Sequence, residues 1–174
     1  MSDFWYWLRD IFRRNRPTPP QPPLPPPTPT SVAGELLVAH NNERTKAGVS
    51  ILTLDSKLVT AAEKHAKWMA DNELLSHRGS RGSNVASRIR DEGHRPQAMG
   101  ENIARGYSTV TSVMQGWMSS SGHRRHILAR KYKNCGFAKV GRYWCAVFVT
   151  SLSRQLVFTK SVSHEPEPLY GTEE

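Results

Sequence analysis

The chain has 174 residues and a formal net charge of +9, with 12 prolines and only two cysteines. That length suits one self-sufficient core and leaves no need for a second domain, because the proline-rich start reduces the foldable part to the remainder. The charge sits in the globular middle, with +2 over residues 1–30, +9 over 31–150 and −2 after that. Such a balance favours anionic partners such as phospholipid headgroups or acidic cell-wall polymers; no feature calls for specific nucleic-acid binding.

Residues 1–16 place Phe4, Trp7, Leu8, Ile11 and Phe12 at helical spacing, with Trp5 beside them and Arg13, Arg14 and Arg16 behind. This predicts an amphipathic helix that lies in a membrane interface or docks on a partner. It is too short to span a bilayer, and its acid at Asp3 and breaks at Arg9 and Asp10 do not read as a standard secretory signal. In residues 17–30, nine of the prolines fall between Pro17 and Pro29. Proline lacks the N–H donor and fixes φ, so the segment reads as an extended spacer, with a ligand for a proline-recognition module as the alternative.

Residues 31–155 form the expected domain. A helix over 33–47 carries Leu36, Leu37, His40 and Arg44 on one flank and ends at Gly48. Asp55 caps a second helix, Ser56 to Leu74, whose stripe of Leu58, Ala61, Ala62, His65, Trp68 and Met69 makes His65 read as a packed core histidine. A glycine-rich loop with His77 follows, then a short helix capped by Asn84 and ending at Gly93. The stretch from Gly100 to Leu128 opens on Glu101 in a tight Gly-Glu-Asn turn, runs through an amphipathic helix with Val110, Val113, Met114 and Trp117, and closes on His123. A basic run of Arg124, Arg125, Arg130, Lys131 and Lys133 leads into a hairpin of Phe137–Val140 and Tyr143–Val149 around Gly141. Residues 152–159 read as one more strand or as the start of the tail, and 156–174 are acidic, proline-interrupted and expected to be disordered. Helices followed by a hairpin predict an α+β sandwich.

With the hairpin turn near Val140 and Gly141, Cys135 and Cys145 face one another, which predicts a cross-strand disulfide and an oxidising compartment. The alternative is two buried free thiols.

His77, Glu101 and His123 stand out because each sits beside glycine in a loop or at a helix end, where side chains line clefts. Two imidazoles and a carboxylate suffice to hold a divalent ion with open positions for water, or to act as a general base and its orienter. Each also has a plainer reading, Glu101 as an acceptor of backbone N–H bonds and His123 at a helix terminus. Ser76, Ser119, Ser120 and Ser121 lie near in sequence, and nothing singles one out as a nucleophile. No HExxH, GxSxG, CxxC or phosphate-binding loop is present.

The blocks AHNNER (39–44), LSH (75–77), GENIARGYS (100–108) and GWMSSSGHRRHIL (116–128), followed by NCGFAKV, resemble in order and spacing the bacterial branch of the CAP superfamily. That superfamily comprises cysteine-rich secretory proteins, antigen 5 and pathogenesis-related proteins, also called SCP-like. The resemblance covers residues 33 to about 150. It implies a three-layer α-β-α sandwich with a central antiparallel sheet and a large cleft lined by histidines and acids. Carried over, the cleft histidines fall on His77 and His123 and the first acid on Glu101. The place of the family's second cleft glutamate, just after Trp117, holds serine, so a divalent cation (Zn²⁺ or Ca²⁺) would be weakly held. His40, Asn41 and Arg44 match the first-helix signature and are read as structural, with His40 bonding the loop that carries Glu101.

The leading expectation is a non-enzymatic, extracytoplasmic module at the cell surface. Its cleft would bind a divalent cation or a small lipid-like or peptide ligand. The alternatives are a hydrolase acting on peptide or cell-wall polymer through His77, Glu101 and His123, and an adaptor that binds anionic surfaces through residues 124–133.

Overall fold

The computed structural model describes residues 31–150. The leader helix with Phe4 to Phe12, the proline spacer, the possible strand at 152–159 and the acidic tail lie outside the described residues.

Among the described residues, short polar side chains start four of the five α-helices by taking up otherwise unpaired backbone N–H groups. Ser31 Oγ accepts from Gly34 N at 3.1 Å to open α1 (Val32–Lys46). Asp55 accepts from Lys57 and Leu58 to open α2 (Ser56–Asp71), three residues shorter than expected from the sequence. Reciprocal Asn84/Ser87 and Thr109/Ser112 boxes open α3 (Val85–Asp91) and α4 (Val110–Ser119). Helix α5 (Ser121–Ile127) follows α4 directly, so His123 lies within a helix rather than after one.

Four strands, β1 (Thr53–Leu54), β2 (Met99–Arg105), β3 (Asn134–Val140) and β4 (Tyr143–Val149), form one sheet in the order β1-β3-β4-β2. β2, β4 and β3 are antiparallel, as expected, and the two-residue β1 adds a parallel edge beside β3. Glu101 is therefore on a strand, not in the tight turn read from Gly-Glu-Asn. Seven consecutive pairings with β4 outweigh the turn tendency of those residues.

Strand alternation sorts the core into two layers. Ile103, Ala138, Tyr143, Cys145, Val147 and Val149 face α2 and α3 with Leu58, Ala62, Met69 and Ile89. Ala104, Cys135, Phe137, Trp144, Ala146 and Phe148 face the other way, against Leu36, Val113, Trp117 and Ile127. The result is the three-layer α-β-α sandwich. Gly136 lets α2 ride directly on β3, since a Cβ there would fall on the backbone of Leu58 and Val59.

The expected disulfide is not formed: Cys135 and Cys145 are both free and buried. The hairpin turns at Gly141 and Arg142, pairing Val140 with Tyr143, so Cys135 opposes Phe148 and Cys145 opposes Ala138. The pairing is offset from the expected one by an odd number of residues. An odd offset puts the two sulfurs on opposite faces of the sheet. Burial raises both thiol pKa values and keeps them protonated. His40 also differs from expectation, since its Nδ1 bonds Leu36 O at 2.7 Å within α1 and its ring stacks on Phe137, away from Glu101.

A thiol titration of the denatured, unreduced protein should read two free groups per chain, matching the two free cysteines. The melting temperature should not move on adding reductant; a lower count together with a reductant-sensitive melt would contradict this register.

Candidate functional site

The alternation of β2 explains Gly100-Glu101-Asn102 better than a turn does, because each residue serves a different face. Gly100 leaves room on the α5 side, where a Cβ would collide with His126 and the hydroxyl of Tyr132. Tyr132 OH donates to Met99 O at 2.8 Å and so holds the start of β2 from the same side. Asn102, also on that side, donates from Nδ2 to His123 O at 3.1 Å. Glu101 points the opposite way, into the layer of α2 and α3.

There Glu101 is 6% exposed and has two tight partners. Oε1 accepts from His77 Nδ1 at 2.8 Å, and Oε2 accepts from Nη2 of Arg88 on α3. His65 Nε2 lies 4.0 Å from Oε1, and the Cys145 thiol lies 3.8 Å from Oε2. Burial pushes the carboxyl pKa up, but His77, Arg88 and His65 together outweigh it and hold the group below the usual carboxylate range.

The loop that carries His77 is pinned from below. His65 Nε2 donates to Ser76 O at 2.9 Å, and Arg88 donates to His77 O at 3.3 Å and to Ser83 O at 3.2 Å. His65 is thus the core histidine read from its helical stripe, and it also braces this loop. With the backbone anchored, the His77 side chain remains 62% exposed above a 3% exposed carboxylate. The hydrogen bond to Glu101 raises the His77 pKa against the effect of partial burial. It also fixes Nδ1 as the donor, leaving Nε2 without a hydrogen-bond partner among the described residues.

His123 lies across β2 on α5. Among the described residues no hydrogen bond or ion pair joins it to Glu101, and its buried Nδ1 has no hydrogen-bond partner. Burial lowers its pKa, and the charge of His77 lowers it further, so the two imidazoles sit within electrostatic reach. His126, one turn along, is depressed by burial and then by Arg125, Lys131, His123 and His77. The structure therefore joins His77 to Glu101 directly and sets His123 and His126 beside them across the edge strand. None of Ser76, Ser119, Ser120 or Ser121 bonds either imidazole among the described residues. In the basic run, Arg124 Nη1 donates to Met118 O at 2.9 Å and Lys133 Nζ to Ser50 Oγ at 2.8 Å.

Arg88 and His126 were not singled out from the sequence. Arg88 carries a signal in retrospect: with Val85 and Ile89 it shares one helical face, and an arginine on an apolar face calls for a buried acid. His126 had no such mark, since Gly100 is far away along the chain.

A divalent ion ligated by Glu101 does not fit this donor set. Both carboxylate oxygens are engaged, one by a guanidinium, and among the described residues no three His, Cys, Asp or Glu side chains are grouped to hold a metal ion.

A helix-sheet-helix sandwich with a histidine-carboxylate pair at its edge strand is an SCP-type module. The chain belongs to the CAP, or cysteine-rich secretory protein, family, which it matches over residues 37–150. It is 30% identical over 111 residues to YkwD of Bacillus subtilis, covering 63% of this chain and 43% of that one. It is also 30% identical to the B. subtilis membrane protein YlbC, covering 69% of this chain and 35% of YlbC. The chain thus spans less than half the length of these relatives. Among solved structures, an extracellular SCP-domain protein from Bacillus anthracis is similar with a TM-score of 0.67 and 25% identity, over 73% of this chain and 45% of that one. A cysteine-rich secretory protein from Staphylococcus aureus shares the fold with a TM-score of 0.59 at 17% identity, over 72% of this chain and 42% of its own.

Because the folded-state pKa of His77 is raised above 6.5, its pairing with Glu101 adds stability that is complete below that value and lost as pH rises through the raised one. An NMR titration of the His77 ring should show a midpoint above that of a free histidine. Glu101→Gln should bring it down; an unchanged midpoint would mean that the carboxylate is not its partner.

Proposed function

We propose that this protein is an extracytoplasmic CAP binding module, displayed at the cell surface. Its cleft beside β2 receives a small lipid-like or peptide ligand against the imidazoles of His77 and His123. The observation that carries this reading is the half-exposed His77 ring held by a buried carboxylate at 2.8 Å. A group so anchored is preorganised, and preorganisation lowers the ordering cost of binding. The aromatic and basic residues of segment 1–16 serve as a peripheral membrane or partner contact and the proline-rich segment as its spacer; among the described residues no helix is long and apolar enough to cross a membrane.

The His77–Glu101 pair also favours a second reading, hydrolysis of a peptide or cell-wall polymer. Glu101 would orient the ring so that Nε2 accepts a proton from water.

Native mass spectrometry of the full chain as purified from its own envelope fraction should show a bound lipid or peptide mass, reduced in His77→Ala. A bare protein mass, together with turnover on a peptide and peptidoglycan panel that disappears in His77→Ala and Glu101→Gln, would replace the first reading with the second. Separately, deleting residues 1–16 should abolish sedimentation with acidic phospholipid vesicles; undiminished sedimentation would remove the leader from the membrane contact.

A further inference from the structure

We propose that Arg88 is the resident cation of this cleft. Its guanidinium occupies the face of Glu101 that a divalent ion would need, so Glu101 ligates no metal and serves instead to hold His77. The inference rests on the Arg88–Glu101–His77 contacts alone and not on the identity of the ligand proposed above.

The surroundings of the carboxylate carry the argument. The Glu101 side chain is 3% exposed. Oε2 faces Arg88 and the Cys145 thiol, while Oε1 takes His77 at 2.8 Å and has His65 at 4.0 Å. Oxygen-seeking ions such as Ca²⁺ require several oxygen donors, and the one carboxylate in this position has neither oxygen free.

Arg88 also lacks freedom to move aside. Its side chain is 9% exposed, and besides Glu101 it donates from Nη1 to Ser83 O at 3.2 Å and from both Nη1 and Nη2 to His77 O at 3.3 Å. An entering ion would have to break a buried charge pair, leave a guanidinium without its counter-charge, and then sit beside that positive charge. Displacing Arg88 would also release the backbone of the loop that presents His77. Gly79 packs closely there: a Cβ would lie 2.8 Å from Ser83 Oγ, 3.2 Å from His65 Nδ1 and 3.3 Å from Arg88 Nη1.

Arg88 is thus a positioning and specificity-determining residue. It supplies from within the chain a positive charge against Glu101 Oε2, beside the His77 bond to Oε1, and the site presents His77 without an ion.

Calorimetric titration and thermal melts of the full chain with CaCl₂ and with ZnCl₂ test this. Wild type should show no Ca²⁺ binding at millimolar ion; Zn²⁺, which imidazoles can hold without a carboxylate ligand, is the comparison ion, and its affinity follows the orientation and protonation of His77. Arg88→Met, close in length and uncharged, should gain about tenfold or more in Ca²⁺ affinity. That gain should vanish in the Arg88→Met/Glu101→Gln double variant and be absent in Arg88→Lys. Wild-type Ca²⁺ binding that is lost in Glu101→Gln overturns the proposal. So does a folded Arg88→Met that gains nothing. If Arg88→Met does not fold, the comparison of wild type with Glu101→Gln decides alone.

Discussion

A guanidinium with no carboxylate partner among the described residues lies at the centre of this fold. Arg44 on α1 is fully buried and donates to Ser50 O at 2.8 Å, Ile127 O at 2.6 Å, Ala129 O at 3.1 Å and Tyr132 O at 3.2 Å. A charge removed from water is tolerated only where enough acceptors surround it, and here the carbonyls at the end of α5 and along the chain into β3 provide them. The C-terminus of a helix carries partial negative charge, so the arrangement satisfies both the cation and the otherwise unpaired carbonyls of α5. Its neighbour Asn41 does similar work for the strand side, holding Leu52 N at 2.8 Å and Leu52 O at 3.1 Å next to β1. Through these two residues α1 sets the position of α5 against the sheet, and therefore of His123 and His126.

The second constraint is the edge strand β2, which serves two layers at once. Glycine and asparagine accommodate and grip α5 on one face, while Glu101 engages α2, α3 and the His77 loop on the other. Burying Glu101 between a guanidinium and an imidazole makes it a fixed part of the scaffold as well as of the cleft. Removing one partner of a buried charge pair typically costs about 3–5 kcal/mol. The site is consequently buried where Glu101 and Arg88 pair and exposed where the His77 ring meets solvent.

Much of this was readable along the chain. The caps at Asp55 and Asn84 mark helix starts because a short acceptor side chain placed before an apolar stripe has a local use. The stripe of α2 identifies its buried face, including His65, and the four family-like blocks point to the sandwich. The same blocks drew attention to His77, Glu101 and His123 as one set, while the hydrogen bond between the first two is a finding of the structure. The cysteine register was misread because the hairpin turn was set one to two positions early, and a small displacement in an antiparallel pair changes which face a side chain occupies.

The sequence by itself determined the starts of α2 and α3, the β3–β4 hairpin strands and the buried stripe of α2, since caps and periodicity act over a few residues, and it did not determine β1, β2 or α5. Only the tertiary structure decided what neutralises Glu101, why Gly100 precedes it and how His123 comes to lie across the strand. Those answers depend on Arg88, His126 and Arg44, whose partners are distant along the chain. Their roles arise from the close approach of α3 and α5 to opposite faces of one strand.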